Sequence, residues 1–408
     1  MSGISLAPIG LLLLVACLIA ILSRRAGLPY SVGLVAAGFV IAIIPQAPQL
    51  GPSPDIIFNI LLPPLVFEAA LQLPWKSFRS ELPLTLTLAF GGVFLASVVV
   101  TWGMHCLLGW TWLGASIFAV LIAATDPVSV IAAFKELNAD RRLCMLVESE
   151  SLLNDGVAAV GFSVLVAIAA GASSHMTSLV PAFLWTLFGG VLVGGIVSAI
   201  VLLLAGRTDD HLVEITLTAL AAYGSFLIAQ RLNASGVLAS LTAGLMIGNV
   251  GARGPISEKG RPNVLAAWEF FAFLANSFVF LLIGIQLASA GITRLGWITA
   301  GLAILLVLIG RTIAVYPLSM LFRRSRLKVP AKFQHVLFWG GLRGALALAL
   351  ALTVPGAMPE RTSIILSAFV VVAFSIFVQG LTMPRLVRHL GLVQGHGSNQ
   401  VAASRGRP

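Results

Sequence analysis

The apolar residues of this chain come in unbroken runs, not in alternation. Most runs are about 20 residues long and end at a short polar stretch, often with glycine or proline. They lie at roughly 6–22, 31–45, 55–72, 83–107, 112–134, 147–171, 180–204, 211–230, 235–250, 264–289, 295–322, 333–353 and 362–384, about 13 spans in all. A backbone in lipid has no water to bond, so spans of this length are helices. The pattern predicts an all-α polytopic membrane protein with a transmembrane domain over residues 1–392. The glycine- and serine-containing stretch 393–408 reads as a short disordered cytoplasmic tail. The first run lacks a basic leader and a small-residue cleavage site, so it reads as a retained span.

Composition agrees. The 408 residues are 58% hydrophobic and only 10% charged, and mean hydropathy is +1.01. A soluble domain averages about 25% charged. The net charge is +10, but its distribution says more than its size. Placed on the spans, 20 of the Lys and Arg residues fall on one side and 3 on the other (Arg231, Arg294 and Arg361), with Arg311 and Arg343 inside spans. The positive-inside rule then puts the C-terminus in the cytoplasm and the N-terminus outside, in the inner (plasma) membrane. No basic patch lies on a soluble surface, so the partner is the lipid bilayer and not nucleic acid. Cys17, Cys106 and Cys144 lie in or next to apolar runs and give neither a disulfide framework nor a metal-ligand spacing. No cofactor is expected.

An odd span count suits two inverted six-helix repeats, about 6–171 and about 211–390, joined by a linker helix at about 180–204. Span 5 then corresponds to span 12. The first contains Asp126-Pro127 and the second Gly340-Gly341-Leu342-Arg343-Gly344, so both read as interrupted helices. Interrupted helices at matching positions point to a transport site at the membrane midplane. No sequence identity is visible between the halves; the repeat rests on counting and on the breaks. Gly190-x-x-x-Gly194 marks either helix packing or a dimer face.

Charges inside spans are costly and functional by default. Asp155 follows Glu148-Ser149-Glu150-Ser151-Leu152-Leu153-Asn154, about two turns into its span, roughly 12 Å deep. Ser151 lies at i−4 on the same helix face, and Asn154 adjoins it. Carboxylate, hydroxyl and amide oxygen form a hard donor set suited to a hard cation. Thr125-Asp126 supplies the partner pair from span 5. Arg343 cannot lose its proton and needs a partner, so Glu150 is expected to form a supporting ion pair with it across the crossing helices. Glu68 either helps the ion path or pairs with Arg311. Glu214 and Glu269 lie near span ends and read as solvated or locally paired. His335 reads as an interfacial histidine more readily than as a pH sensor.

Several segments occur together in order: Leu61-Leu62-Pro63-Pro64-Leu65-Val66-Phe67-Glu68, Thr125-Asp126-Pro127-Val128, Glu150 to Asp155, Ser235-Gly236-Val237-Leu238-Ala239, Gly340 to Ala345, and Phe374 to Gly380. Over roughly residues 28–390 the chain resembles the monovalent cation:proton antiporter-1 family of sodium/proton antiporters and exchangers. The resemblance implies the sodium/proton antiporter fold, with a dimerisation domain and a mobile core domain, elevator-type alternating access and a homodimer. It implies that Asp155 binds the cation or the proton, with Thr125, Asp126 and Ser151 supporting and Asn154 as the neutral partner of the electroneutral branch. Glu150 and Arg343 would be the core-stabilising pair. Gln230 departs from relatives that carry an acid there. The large regulatory domain of the animal exchangers is not expected.

The resulting expectation is exchange of Na⁺ (or Li⁺) for H⁺ in pH and sodium homeostasis, by a secondary active transporter and not an enzyme. Potassium/proton antiport is the alternative on the same fold. An intramembrane aspartyl protease also carries two aspartates in spans, but its Tyr-Asp and Gly-x-Gly-Asp patterns are absent. A channel would want a carbonyl filter motif, which is also absent.

Overall fold

All helices and no strands are found among the described residues of the computed structural model, which are 6–26, 29–43, 56–171, 175–289 and 294–393. The first half contains α1 (Leu6–Ala26), α2 (Tyr30–Ile43), α3 (Leu62–Gln72), α4 (Trp75–Leu86), α5 (Gly92–Leu108), α6 (Trp112–Leu121), α7 (Val128–Leu137) and α8 (Arg141–Ala169). Then come α9 (Met176–Ala205), α10 (His211–Arg231), α11 (Gly236–Asn249), α12 (Gly260–Ser289) and α13 (Arg294–Leu321). The chain closes with α14 (Ala331–Trp339), α15 (Ala345–Leu352), α16 (Arg361–Phe374) and α17 (Leu381–His389). Among the described residues, 7 helical runs are long and apolar enough to cross a membrane, and the shorter apolar helices include Tyr30–Ile43, Ile57–Gln72 and Trp112–Leu121. The chain is a multi-pass membrane protein. The tail expected beyond residue 393 lies outside the described residues.

Local chemistry sets the ends. Thr111, Asp140, Asp210 and Ser235 accept backbone N–H groups in the first turns of α6, α8, α10 and α11. Gly109 and Asn138, both left-handed, stop α5 and α7. Two boundaries differ from the sequence reading. The fourth span starts at Trp75, not near 83, because Pro83 is absorbed. A π-turn at Thr87–Gly91 joins α4 to α5, and the Thr87 hydroxyl donates to the Pro83 carbonyl at 2.7 Å. The sixth span starts at Arg141 because Asp140 caps it and Arg142 forks onto Glu81 at 2.7 and 3.0 Å. Both differences add a polar turn that hydropathy alone assigns to a loop.

Packing repeats itself with opposite chain order. α2 lies along α12, and α3 lies along α11. A Cβ on Gly38 would overlap the Leu281 carbonyl, and a Cβ on Gly244 would meet the Phe67 carbonyl at 2.6 Å. The Gly284 position presses on the α2 backbone around Gly38, just as Ala70 meets the Gly244 position. One alignment satisfies all these contacts: Gly38 onto Gly244, Phe67 onto Leu281 and Ala70 onto Gly284. It also brings Ala37-Gly38 onto Ala243-Gly244, Ile41 onto Ile247 and Gln72-Leu73 onto Gln286-Leu287. These contacts support the inverted repeat at residue level. α5 and α13 pack on each other, beside the broken helices α6/α7 and α14/α15. The Gly190 and Gly194 positions close on the Ser235 and Ala239 carbonyls of α11, so that small-residue pair serves packing within the chain.

Candidate functional site at the helix crossing

Between α6 and α7 the chain leaves the helix at Ile122–Pro127, and between α14 and α15 at Gly340–Gly344. The two breaks cross. The Asp126 N–H donates to the Leu342 carbonyl at 2.7 Å, one strand-like bond between them. A Cβ on Gly344 would overlap the Asp126 carboxylate, so glycine is what allows the crossing.

Each broken helix exposes free backbone groups, and the sequence answers them with charge. Asp126 Oδ1 accepts the Val128 N–H at 2.9 Å, and the Ala345 amide also faces this carboxylate. Asp126 therefore sits at the positive ends of both α7 and α15. Arg343 answers the opposite pole: its Nη1 donates to the Ala123 and Ala124 carbonyls at the end of α6, at 2.7 and 3.2 Å. Its backbone is fixed by Ser375, whose hydroxyl accepts the Arg343 N–H at 3.0 Å. Arg311 does the same for α14, donating from Nη2 to the Leu337 carbonyl at 2.8 Å.

The ion pair differs from expectation. Glu150 is bound by Arg311, through Nη1 at 2.6 Å and Nη2 at 3.0 Å, and not by Arg343. Arg343 stands at the end of α6, where unbonded carbonyls hold its guanidinium. Arg311, in the middle of α13, reaches Glu150 and has spare donors for α14. The alternative pairing of Glu68 with Arg311 is also absent, since Glu68 accepts a hydrogen bond from Gln72 one turn further along α3. The fork geometry matches a carboxylate to a guanidinium, and both partners are buried.

Asp155 occupies the midpoint of the 29-residue α8, deeper than the sequence suggested. The Thr125 peptide faces its carboxylate, and the charges bearing on it are Asp126, Glu150 and Arg343. No salt bridge engages it among the described residues. Asp155, Asp126 and Thr125 open together into one cleft of about 70 Å³, also lined by Glu68, Asn276 and Gly344. Glu68 lies one turn from the end of α3 that leads to Lys76 and Arg79.

Ser151 and Asn154 stand behind that lining. The Thr125 hydroxyl donates to Ser151 Oγ at 3.0 Å. Asn154 Nδ2 donates to Thr125 Oγ1 at 3.3 Å and to the Glu150 carboxylate, which fixes the amide's orientation. Its Oδ1 is buried without a partner among the described residues. Asn154 thus couples the ion pair to Thr125. His335 shares a 2.8 Å hydrogen bond with Tyr316. Gln230 lines a separate cleft with Trp185 and Asn233. Glu214 is buried and accepts the Ser257 N–H at 2.8 Å, and Glu269 is exposed.

The sequence reading missed the capping roles of both arginines. The signal was present: two arginines inside spans beside two helix breaks, each break exposing carbonyls. It also missed Asn276, which no charge marks.

Comparison with known proteins adds to this geometry. A family model described as sodium/hydrogen exchanger, transmembrane, matches residues 11–389. The Na⁺/H⁺ antiporter ApNhaP of Aphanothece halophytica is 39% identical over 368 residues, 90% of this chain and 70% of that protein. The Na⁺/H⁺ antiporter NhaG of Bacillus atrophaeus is 35% identical over 402 residues, 95% of this chain and 75% of that one. The solved structure of the sodium proton antiporter MjNhaP1 from Methanocaldococcus jannaschii at pH 8 superposes with a TM-score of 0.77 at 19% identity, covering 95% of this chain and 98% of that one. That likeness carries the fold, and the sequence matches carry the lineage. The chain belongs to the sodium/hydrogen exchanger family.

Proposed function

We propose that the protein exchanges Na⁺ for H⁺ across the plasma membrane by alternating access, as a homodimeric secondary transporter with its basic loops in the cytoplasm. The observation that carries this reading is Asp155, a carboxylate at mid-helix that no salt bridge engages among the described residues, open to a cleft at two crossed helix breaks. An acid in that position holds a cation or a proton, but not both at once. Asp155 and Thr125 supply the first oxygens. Ser151 orients the Thr125 hydroxyl and joins the set when that hydroxyl turns. Asp126 keeps its charge against two helix ends through the cycle. With Asn154 neutral, one cation moves per proton and the exchange carries no net charge. Family membership and the names of the relatives support sodium over a protease or channel chemistry.

The test is reconstitution into proteoliposomes with an imposed pH gradient. Addition of Na⁺ or Li⁺ should collapse the gradient, and K⁺ should not. A response to K⁺ alone would replace this reading with potassium/proton antiport on the same site. No response to any monovalent cation would refute antiport.

A further inference from the structure

One polar side chain in the cleft comes from neither the crossing helices nor α8 and belongs to no motif. Asn276 of α12 is 9% exposed and lines the cleft with Asp126 and Asp155. No hydrogen bond engages its amide among the described residues, and the amide is reachable from the cleft rather than sealed in the protein. It is therefore free to bond an occupant there.

α12 cannot rotate to hide it. The next residue, Ser277, shares a 2.6 Å hydrogen bond with Tyr30 of α2. Two turns further, Gly284 presses on the α2 backbone. Asn276 is therefore presented from a rigid wall.

The repeat shows what this position lacks on the other side. The offset that places Phe67 on Leu281 and Ala70 on Gly284 places Leu62 on Asn276. Leu62 lines the same cleft. The wall is thus polar at one position and apolar at its repeat mate. When inverted repeats alternate, equivalent elements exchange roles between the two states. The site meets the amide when it faces this cleft, and meets the leucine in its place when it faces the other way.

We infer that Asn276 is a stationary Na⁺ ligand, acting through its side-chain oxygen, which completes the coordination begun by Asp155 and Thr125 only while the site faces this cleft. The amide oxygen is a hard donor like the other two. With Glu68 of the cleft one turn from the α3 end that leads to Lys76 and Arg79, we assign this cleft to the basic-loop face, and cation affinity is then higher there than at the opposite face. This rests on the exchange reading above.

The test measures the KM for Na⁺ at each face separately, in everted and in right-side-out vesicles. Asn276→Leu should raise KM by about tenfold at the basic-loop face, the loss expected for one ligand. The KM at the opposite face and the melting temperature should not change. Asn276→Asp, which keeps an oxygen, should restore a low KM. The reciprocal Leu62→Asn should lower KM at the opposite face. An unchanged KM in Asn276→Leu, or an equal rise at both faces, overturns the inference. If Asn276→Leu does not fold, Leu62→Asn decides alone, and no change at the opposite face overturns it. A wild type without Na⁺-dependent proton flux would refute the exchange reading itself. Wild-type flux with face-independent effects of Asn276→Leu would refute only this assignment.

Discussion

Glu150 and Asp155 lie five positions apart on one helix, yet they are opposites. Glu150 is closed: a guanidinium fork and an amide occupy its oxygens, and it is 2% exposed. Asp155 is open: no salt bridge engages it among the described residues, and it faces the cleft. A carboxylate whose charge is matched inside the protein has no reason to change its state. A carboxylate left unmatched at the same depth must take its counter-charge from outside, as a cation or a proton. On the proposed function, their difference separates the acid that holds the structure from the acid that exchanges.

The largest expected effect tests the open acid. Asp155→Asn should abolish Na⁺-dependent proton flux in proteoliposomes while leaving the melting temperature near wild type. Wild-type exchange in that variant would remove the central claim. The closed acid should behave the other way. Arg311→Ala strands a buried carboxylate and should cost about 3–5 kcal/mol of stability, read as a lower melting temperature in detergent. Glu150→Gln combined with Arg311→Gln should recover part of it. Arg343→Ala should cost less, about 1–3 kcal/mol, because it strands carbonyls and no charge. A double-mutant cycle between Glu150 and Arg343 should give a coupling smaller than that between Glu150 and Arg311. Equal couplings would return Arg343 to the role of partner.

A gentler variation is pH. Protons and Na⁺ compete for Asp155, so the apparent affinity for Na⁺ should weaken as pH falls, with no change in the maximal rate at saturating Na⁺. A pH-independent KM would argue that the proton binds elsewhere. The smallest expected effect is none at all. An imposed potential of 100 mV is worth about 2.3 kcal/mol per charge moved. The balance point of exchange should ignore it. A shift would mean a second proton, with Asp126 the first group to examine.

Much of this was legible in the sequence, for a physical reason. Lipid forbids unpaired backbone and isolated charge, so spans, breaks and buried acids all stand out against hydrocarbon. Asp126, Asp155 and the two interruptions were found that way, and the structure brings them to one cleft. Pairing was less legible. Arg311 and Arg343 are equally conspicuous, but choosing between them as Glu150's partner needs the rotation of α13 and the position of the α6 carbonyls. The repeat was hidden because its shared feature is backbone proximity, which leaves only scattered residues such as Gly38 and Gly244 in common. Asn276 was invisible because an uncharged amide among apolar residues is commonplace until its neighbours are known.

The glycine seams between α2 and α12 and between α3 and α11 also bear on how the chain is made. Each seam joins helices separated by well over half of the sequence between the earliest and latest of the four. During synthesis the first pair enters the membrane with its seam faces uncovered, and they stay so until the second pair emerges. Early helices must therefore wait as loosely held spans. A ribosome-bound chain halted before residue 236 should be open to protease and to thiol labelling at Val35→Cys, a smaller side chain at a position of α2 that is fully buried in the finished protein. Release to full length should close both together, because one wall of the protein is finished only when its mirror half arrives.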